Sequence, residues 1–199
     1  MRIVCIDFMS LDGVVQAPGG AEEDTEGGFA HGGWSGPYFD VEVMGAAIDE
    51  VMTGTEALLF GRRTWAAMAG AWPERSGDGD PFTDRMNTIP KHVASRTLAQ
   101  ADLTWQNSTL LPAEDAIGAI RDLRARDGGD LQVWGSSVLA TQLVQADLVD
   151  EYVLMIEPVL LGGGKRVFPD DGVARPLELL SVTQAGTGVL VCRYRPARG

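Results

Sequence analysis

Three short segments combine glycine, hydroxyl and arginine side chains where an apolar run gives way to a helix-like pattern. They are residues 60–65 (FGRRTW), 93–97 (VASRT) and 134–138 (WGSSV). The first turn of a helix has unpaired backbone N–H groups and a partial positive charge, so it attracts anions. Glycine lets a ligand approach the backbone, hydroxyl groups add hydrogen bonds, and arginine adds a forked contact to phosphate. This combination of residues predicts phosphate binding.

Each of these junctions also has a purely structural interpretation. Ser136 or Ser137 can cap a helix, and Gly135 can form a tight turn, without any ligand. Three such junctions, two of them with arginine, favour a ligand that carries several phosphate groups. Open α/β sheets bind ligands at the carboxyl ends of their strands, so we expect the junctions to meet there around a nucleotide.

Two aspartates are the candidates for acid–base catalysis. Asp12 lies in the segment SLDG at the end of the first strand-like run, where it either faces a pocket or forms a plain turn. Asp40 follows a group of aromatic residues, whose apolar surroundings would raise its pKa and suit it as a proton donor. Its alternative role is to stabilise a helix N-terminus. Trp34 and Phe39 either stack on a flat heterocycle or belong to the core.

Several common types of site do not match the sequence. No G-x-G-x-x-G pattern follows the first strand, so the usual dinucleotide fingerprint is missing. Residues 162–165 (GGGK) are similar to part of a P-loop, but Arg166 replaces the required Ser or Thr, and Val159 replaces the first glycine. The two histidines, His31 and His92, form no zinc motif, and no nucleophile elbow suits a Ser-His-Asp triad. We therefore predict no metal site.

The composition is that of one folded domain. The chain has 199 residues, of which 45% are hydrophobic and 22% are charged, and this length suits a single sizeable core. A net charge of −12 opposes binding to nucleic acid or to an anionic membrane surface. We identify no membrane-spanning run and no secretory signal. Cys5 and Cys192 lie in strand-like runs, so we expect buried thiols and a cytoplasmic setting.

Apolar periodicity predicts an α/β domain over residues 1–199, with a mainly parallel sheet, helices on both faces and a C-terminal antiparallel hairpin. The predicted strands are residues 2–9, 57–60, 92–95, 103–107, 131–134, 151–157, 177–183 and 189–195. The predicted helices are residues 44–52, 62–69, 112–127 and 138–144. Residues 16–37 and 74–81 are polar loops, and we expect the first to be mobile and to order on ligand binding.

Four segments occur in an order that is typical of one family. They are SLDGVV (10–15), LLFGRRTW (58–65), VASRTL (93–98) and the run from LQVWGSS to KRVF (131–168), and the closing hairpin follows them. In these features the chain resembles the C-terminal reductase domain of riboflavin biosynthesis, the RibD C-terminal domain, which has a dihydrofolate reductase-like fold. Residues 131–168 are the most specific part, because a strand, Gly-Ser-Ser, a helix, LVDEY, a second strand and PVLLGGG follow one another there.

The resemblance implies a reductase that takes a hydride from NADPH and acts on a small heterocycle. The best-named substrate is the aminouracil intermediate of riboflavin synthesis, 5-amino-6-(5-phosphoribosylamino)uracil. The resemblance also implies a homodimer. It assigns the cofactor's phosphates to Gly61, Arg62, Arg63 and Thr64, to Ser95 and Arg96, and to Gly135, Ser136, Ser137, Val138 and Leu139.

Two alternatives stay open at this stage. The first is a pterin reductase of the dihydrofolate reductase type, which keeps an acid near the position of Asp40. The second is a nucleotide-binding module without turnover. The deaminase half of bifunctional riboflavin enzymes has no counterpart, because no H-x-E with P-C-x-x-C is present.

Overall fold

The computed structural model describes residues 1–75 and 79–197. Its strands form one eight-stranded sheet in the order β4-β3-β2-β5-β1-β6-β8-β7. All neighbours from β4 to β6 are parallel, and β8 and β7 are antiparallel. The strands are β1 (Arg2–Ser10), β2 (Thr55–Gly61), β3 (Lys91–Ala94), β4 (Ser108–Leu110), β5 (Asp130–Trp134), β6 (Glu151–Glu157), β7 (Leu177–Gln184) and β8 (Leu190–Pro196).

Five α-helices of the described residues cover the two faces of the sheet. They are α1 (Ala46–Thr53), which follows a π-helical turn, α2 (Arg62–Ala71), α3 (Pro81–Thr88), α4 (Ala116–Arg124) and α5 (Ser137–Gln145). Apolar side chains of α4 and α5 pack on one face, and those of α1, α2 and α3 pack on the other. The expected single α/β domain with a C-terminal hairpin is therefore confirmed. None of the helices in the described ranges is long and apolar enough to cross a membrane.

Residues 103–107, which we predicted to be a strand, form an irregular segment before β4. Trp105 is buried there. Its indole N–H donates to Asn87 Oδ1 over 2.7 Å, and its ring lies 6.0 Å from that of Phe60. Asn107 has a φ of +59° and turns the chain into β4. The apolar residues of this segment are therefore buried as part of an irregular loop. Such a loop has no fixed hydrophobic period, so its pattern does not distinguish it from a strand.

One helix boundary differs from the prediction, and one helix was not predicted. The carboxylate of Asp115 accepts the Gly118 N–H over 2.8 Å, so α4 begins at Ala116 instead of at Pro112. Asp80 caps α3 in the same way, and this helix begins inside the predicted loop 74–81. Residues 76–78 of that predicted loop lie outside the described residues.

Two openings form where the parallel strands end. The chain leaves β2 towards β3 on one side and leaves β5 towards β6 on the other, which creates a crevice between adjacent strands. A fork opens beside β1, because its pairing with β5 stops at Ile6–Trp134 while its pairing with β6 continues to Ser10–Glu157. Both openings lie at the same edge of the sheet.

The long loop 16–37 folds over this edge. It contains two short 3-10 turns and no strand. The amide group of Gln16 donates to the carbonyls of Asp24 and Glu26, each over 3.0 Å, and accepts the Lys165 N–H over 3.0 Å. The indole N–H of Trp34 donates to the Gln16 carbonyl over 2.8 Å. These contacts hold the loop against the segment that follows β6.

Candidate cofactor and substrate cleft

A cleft of about 910 Å³ lies at the carboxyl edge of the parallel strands. All three glycine, serine and arginine junctions contribute to its wall, as the sequence predicts. They meet because β3, β2 and β5 are adjacent and parallel, so the chain leaves each strand at the same edge. The loop 16–37 supplies the opposite wall through residues such as Gln16 and Ser35, and Phe39, which follows the loop, extends this wall.

The junctions after β2 and β5 are bonded directly to each other. Gly135 and Ser136 both have left-handed backbone conformations, with φ of +52° and +59°. The Ser136 hydroxyl accepts the Gly61 N–H over 2.9 Å, and the Ser136 N–H donates to the Thr64 hydroxyl over 3.1 Å. Ser136 therefore joins two strands instead of capping its own helix.

The two helices at these junctions begin without a side-chain cap. Within residues 1–75 and 79–197, neither α2 nor α5 has a side-chain hydrogen bond that caps its N-terminus. The first-turn N–H groups therefore keep their bonding capacity at the cleft, where Arg62, Ser137 and Val138 line the wall, whereas the Gly61 N–H is already bonded to Ser136. In the first turn of α5, the side chain of Val138 is 65% exposed, whereas that of Leu139 is buried. Two uncapped helix N-termini at one cleft fit a ligand with more than one anionic group.

The three arginines of the cleft differ in their partners. Arg62 and Arg96 are exposed, and neither has an ion-pair partner among residues 1–75 and 79–197. Arg63 instead pairs with Glu26 of the loop, and its guanidinium lies 3.6 Å from Asp24. The hydroxyl of Ser95 accepts the N–H groups of Thr97 and Leu98, so it shapes the turn that presents Arg96.

Neither predicted catalytic aspartate lines the cleft. The carboxylate of Asp12 accepts the Leu161 and Gly162 N–H groups over 3.1 and 2.8 Å. A hydrogen bond from Ser10, together with these amides, lowers the pKa of Asp12 to about 2, which makes it a poor proton donor. Asp40 accepts the Val43 N–H over 2.9 Å and the Gly186 N–H over 3.2 Å, so it caps the helical turn before α1.

The two predicted aromatic residues occupy different places. Trp34 is 7% exposed, belongs to loop 16–37 and is not part of the cleft wall. Phe39 is 42% exposed and does line the cleft, and its ring lies 6.3 Å from that of Phe8 on β1. Phe8 and Phe39 thus form an aromatic corner beside the fork of β1.

Two buried carboxyl groups near this corner were not predicted. Asp7 on β1 is 2% exposed and lines the cleft, and neither of its carboxyl oxygens has a hydrogen-bond partner among the described residues. Glu157 at the end of β6 is fully buried and accepts the hydroxyl of the cleft residue Ser35 over 2.6 Å. Burial, partly offset by this bond, raises the pKa of Glu157 to about 7. The signal available in the sequence was a single acid inside each apolar strand run, VCIDFM and VLMIEP.

A family model described as the RibD C-terminal domain matches residues 2–191. The chain belongs to the RibD C-terminal domain family. By family, it is an oxidoreductase. Among curated proteins, this RibD C-terminal domain is similar to the uncharacterized protein YyaP of Bacillus subtilis. The two are 26% identical over 144 residues, which cover 70% of this chain and 73% of YyaP.

Three solved structures share the fold of this RibD C-terminal domain at low identity. A putative riboflavin biosynthesis protein from Shewanella sp. PV-4 has a TM-score of 0.69 and 19% identity, with 100% of both chains covered. A pyrimidine reductase-like protein from Corynebacterium diphtheriae has a TM-score of 0.65 and 16% identity over 100% of this chain and 92% of that one. Dihydrofolate reductase from Enterococcus faecalis, complexed with NADP(H), has a TM-score of 0.57 and 15% identity over 97% and 93% of the two chains.

Proposed function

We propose that this chain is an NADPH-dependent reductase of a small heterocycle, with 5-amino-6-(5-phosphoribosylamino)uracil as the best-named substrate. The observation that carries the proposal is the joined junction of Gly61 and Ser136, where two uncapped helix N-termini share one cleft. Family membership supports the reductase activity, and the NADP(H) complex of the dihydrofolate reductase with the same fold supports the cofactor.

The charges at the cleft support a cofactor with an extra phosphate. The whole chain has a net charge of −12, yet Arg62 and Arg96 stand at the cleft with no carboxylate paired to them among the described residues. Unpaired arginines in an acidic protein favour a polyanionic ligand. We assign Arg96, with the turn of Ser95, to the 2′-phosphate, and Arg62 with the two helix N-termini to the pyrophosphate.

The remaining groups suit orientation and exclusion of water. NADPH, when bound, supplies the hydride. The backbone of Gly135–Ser137 holds the phosphates, and the aromatic corner of Phe8 and Phe39 provides a flat wall for a heterocycle. Loop 16–37 covers the cleft, which favours reaction in a dry, fixed geometry. Asp12 and Asp40 have no part in this proposal because both are bonded elsewhere.

We extend the proposal to the setting of the protein, a cytoplasmic homodimer. Cys5 and Cys192 are both buried and unpaired, which suits a reducing compartment. Strand β7 is the outer edge of the sheet and all of its residues are exposed, which suits pairing with a second copy.

The proposal is tested first by binding. Titration calorimetry should give tighter binding of NADPH than of NADH, because only NADPH carries the 2′-phosphate. Arg96→Ala should remove one charge-assisted contact, about 1.5–3 kcal/mol, and so weaken NADPH by roughly 10- to 100-fold while leaving NADH almost unchanged. Arg121→Ala is the matched control, because Arg121 is exposed on α4 and does not line the cleft. Equal affinity of the wild type for both cofactors would contradict the proposal.

Turnover is tested second, by oxidation of NADPH at its absorbance band. The aminouracil phosphate should accelerate this oxidation, and dihydrofolate should not. Faster oxidation with dihydrofolate would favour a pterin reductase. Tight binding of NADPH without oxidation by either compound would favour a nucleotide-binding module.

A further inference from the structure

Asp7 occupies the point where the sheet opens. Ile6 is the last residue of β1 that pairs with β5, so Asp7 is the first residue beside the fork. The Gly135 N–H donates to the Ile6 carbonyl over 3.3 Å, which places Asp7 directly next to the junction that leads into α5. Side chains alternate along a strand, and Cys5 and Met9 pack on the face that carries α5. The side chain of Asp7 therefore lies on the α5 side of β1.

This carboxyl group is buried without a partner. Both of its oxygens are inaccessible and lack hydrogen bonds among the described residues, although Asp7 lines the cleft. A buried polar group without a bond costs about 1–3 kcal/mol, so native structures rarely leave one unmatched. The carboxyl groups elsewhere on the cleft wall differ. Asp24 and Glu26 are ion-paired, Glu23 and Asp115 accept backbone N–H groups, and Glu114 is exposed. Among the described residues of the cleft wall, Asp7 is thus the buried acid whose carboxyl oxygens have no hydrogen-bond partner.

Strand order indicates which part of the ligand reaches Asp7. The junctions assigned to the cofactor follow β3, β2 and β5, which are adjacent in the sheet, and β1 is the next strand. Neighbouring strands lie about 4.8 Å apart, so an extended dinucleotide crosses several of them. With the 2′-phosphate at Arg96 beyond β3 and the pyrophosphate between β2 and β5, the nicotinamide end arrives at the fork of β1. There the nearest unmatched group is the carboxyl of Asp7.

We propose that Asp7, in its protonated form, binds the carboxamide of the nicotinamide ring. A neutral carboxylic acid has one donor and one acceptor side by side, and a primary carboxamide has the complementary pair. The Asp7 O–H donates to the carboxamide oxygen, and the Asp7 carbonyl oxygen accepts from the carboxamide NH2. This pairing satisfies both buried oxygens and fixes the rotation of the nicotinamide ring. The inference rests on the proposed NADPH function and adds a recognition residue to it.

The surroundings of Asp7 keep it protonated. Burial raises the pKa of the Asp7 carboxyl well above its ordinary range, and no charged side chain of the described residues opposes this. The titratable neighbour is Cys5 on the same strand, whose thiol is also raised in pKa, chiefly by burial. No lysine or arginine pairs with Asp7 from α5, β6 or the loop. An ionised Asp7 would only accept hydrogen bonds and could not donate to the carboxamide oxygen.

The test compares Asp7→Asn, which is close to Asp in volume, with Asp7→Leu, which has the same branching but is apolar and larger. Asn keeps a donor and an acceptor at all pH values, so its affinity for NADPH should stay within about threefold of the wild type. Leu removes both, and its affinity for NADPH should fall on the order of tenfold. Adenosine 2′,5′-bisphosphate lacks the nicotinamide, so calorimetry should show equal binding of this probe by both variants and the wild type. Glu157→Gln is the matched control, because Glu157 is also a buried acid but lies on the opposite face of the sheet.

Each outcome decides between the two proposals. Loss of NADPH affinity in Asp7→Leu alone, with unchanged bisphosphate binding, supports the inference. Equal NADPH affinity of Asp7→Leu and the wild type overturns it, and so does an affinity that rises with pH in the wild type but not in Asp7→Asn. Failure of the wild type to bind either NADPH or the bisphosphate overturns the proposed function itself. Circular dichroism and thermal unfolding of the ligand-free variants verify that each one is folded.

Discussion

The guanidinium of Arg63, at the start of α2, donates to the carboxylate of Glu26 in the long loop, with one N–O distance of 2.7 Å. Lys165, from the segment after β6, reaches the same carboxylate over 2.6 Å. A loop residue therefore bridges two elements on opposite sides of the cleft. Arg63, which the family resemblance assigns to the cofactor, is thus held by a carboxylate of the protein itself.

We expect this bridge to control the opening of the loop. Glu26→Gln keeps the shape of the side chain but loses the charge that Arg63 and Lys165 share. Limited proteolysis within residues 16–37 should be faster in this variant, and high salt should have the same effect on the wild type because salt screens surface charges. Glu114→Gln is the control, since Glu114 is exposed at the cleft without an ion pair in the described chain. Identical cleavage rates for the wild type and Glu26→Gln would refute the expectation.

The same bridge predicts an effect of pH. Hydrogen bonds from Arg63 and then Lys165 lower the pKa of Glu26 to about 2. A carboxylate with a depressed pKa stabilises the folded loop above its unfolded pKa, and this contribution is lost as the pH falls through about 2.

NADPH and substrate should slow cleavage further at neutral pH, because a bound ligand supplies new contacts to the loop.

Gly135 should not accept a β-branched side chain. Its φ of +52° is in the left-handed region, where Val costs on the order of 1–3 kcal/mol. A Cβ here would lie 3.6 Å from the Thr64 side chain, so space inside the protein is sufficient and the backbone is the constraint. Gly135→Val should therefore remain folded by circular dichroism and lose NADPH binding. Gly70→Val on α2, where a Cβ meets nothing within 4 Å, is a comparison outside the junction.

Glu157 should make the stability of the protein depend on pH. Its folded-state pKa is raised to about 7, whereas the ordinary value is 4.5. A raised pKa means that the stabilising contribution is complete below pH 4.5 and is lost as the pH rises through about 7. The loss amounts to about 3 kcal/mol for a shift of this size. Urea unfolding of the wild type and of Glu157→Gln should therefore diverge above pH 5 in favour of the variant, and parallel curves would count against this pKa.

The outer edge of the sheet should mediate dimer formation. Leu179 and Val182 of β7 are 51% and 52% exposed, and the strand has no partner on its outer side in the described chain. Light scattering should give about twice the chain mass of 21.3 kDa, and Leu179→Lys should reduce it to that of one chain. Thr183→Lys on the same strand tests whether any added charge has this effect. A wild-type mass near one chain would reject the dimer.

The sequence was sufficient for most of the fold. Apolar runs predicted strands at β1, β5 and β6, the alternation of strands with helices predicted a mainly parallel sheet, and the glycine pair at 186 and 188 predicted the hairpin. These features are local, so the chain reveals them within a few residues. Residues 103–107 were mistaken for a strand because burial of Trp105 depends on Asn87 and Phe60, which are distant in sequence.

The candidate site, like the fold, was predicted only in part from the sequence. Residue types predicted that three junctions would line one cleft, because glycine, serine and arginine have local roles that do not depend on the rest of the chain. The tertiary structure decided how these residues are used. It bonded Ser136 to Gly61, paired Arg63 with Glu26, tied Asp12 to the segment after β6, and buried Asp7 and Glu157 near the cleft. A carboxyl group becomes an acid, a cap or an ion pair according to its neighbours and its burial, and the packing of distant segments alone determines both.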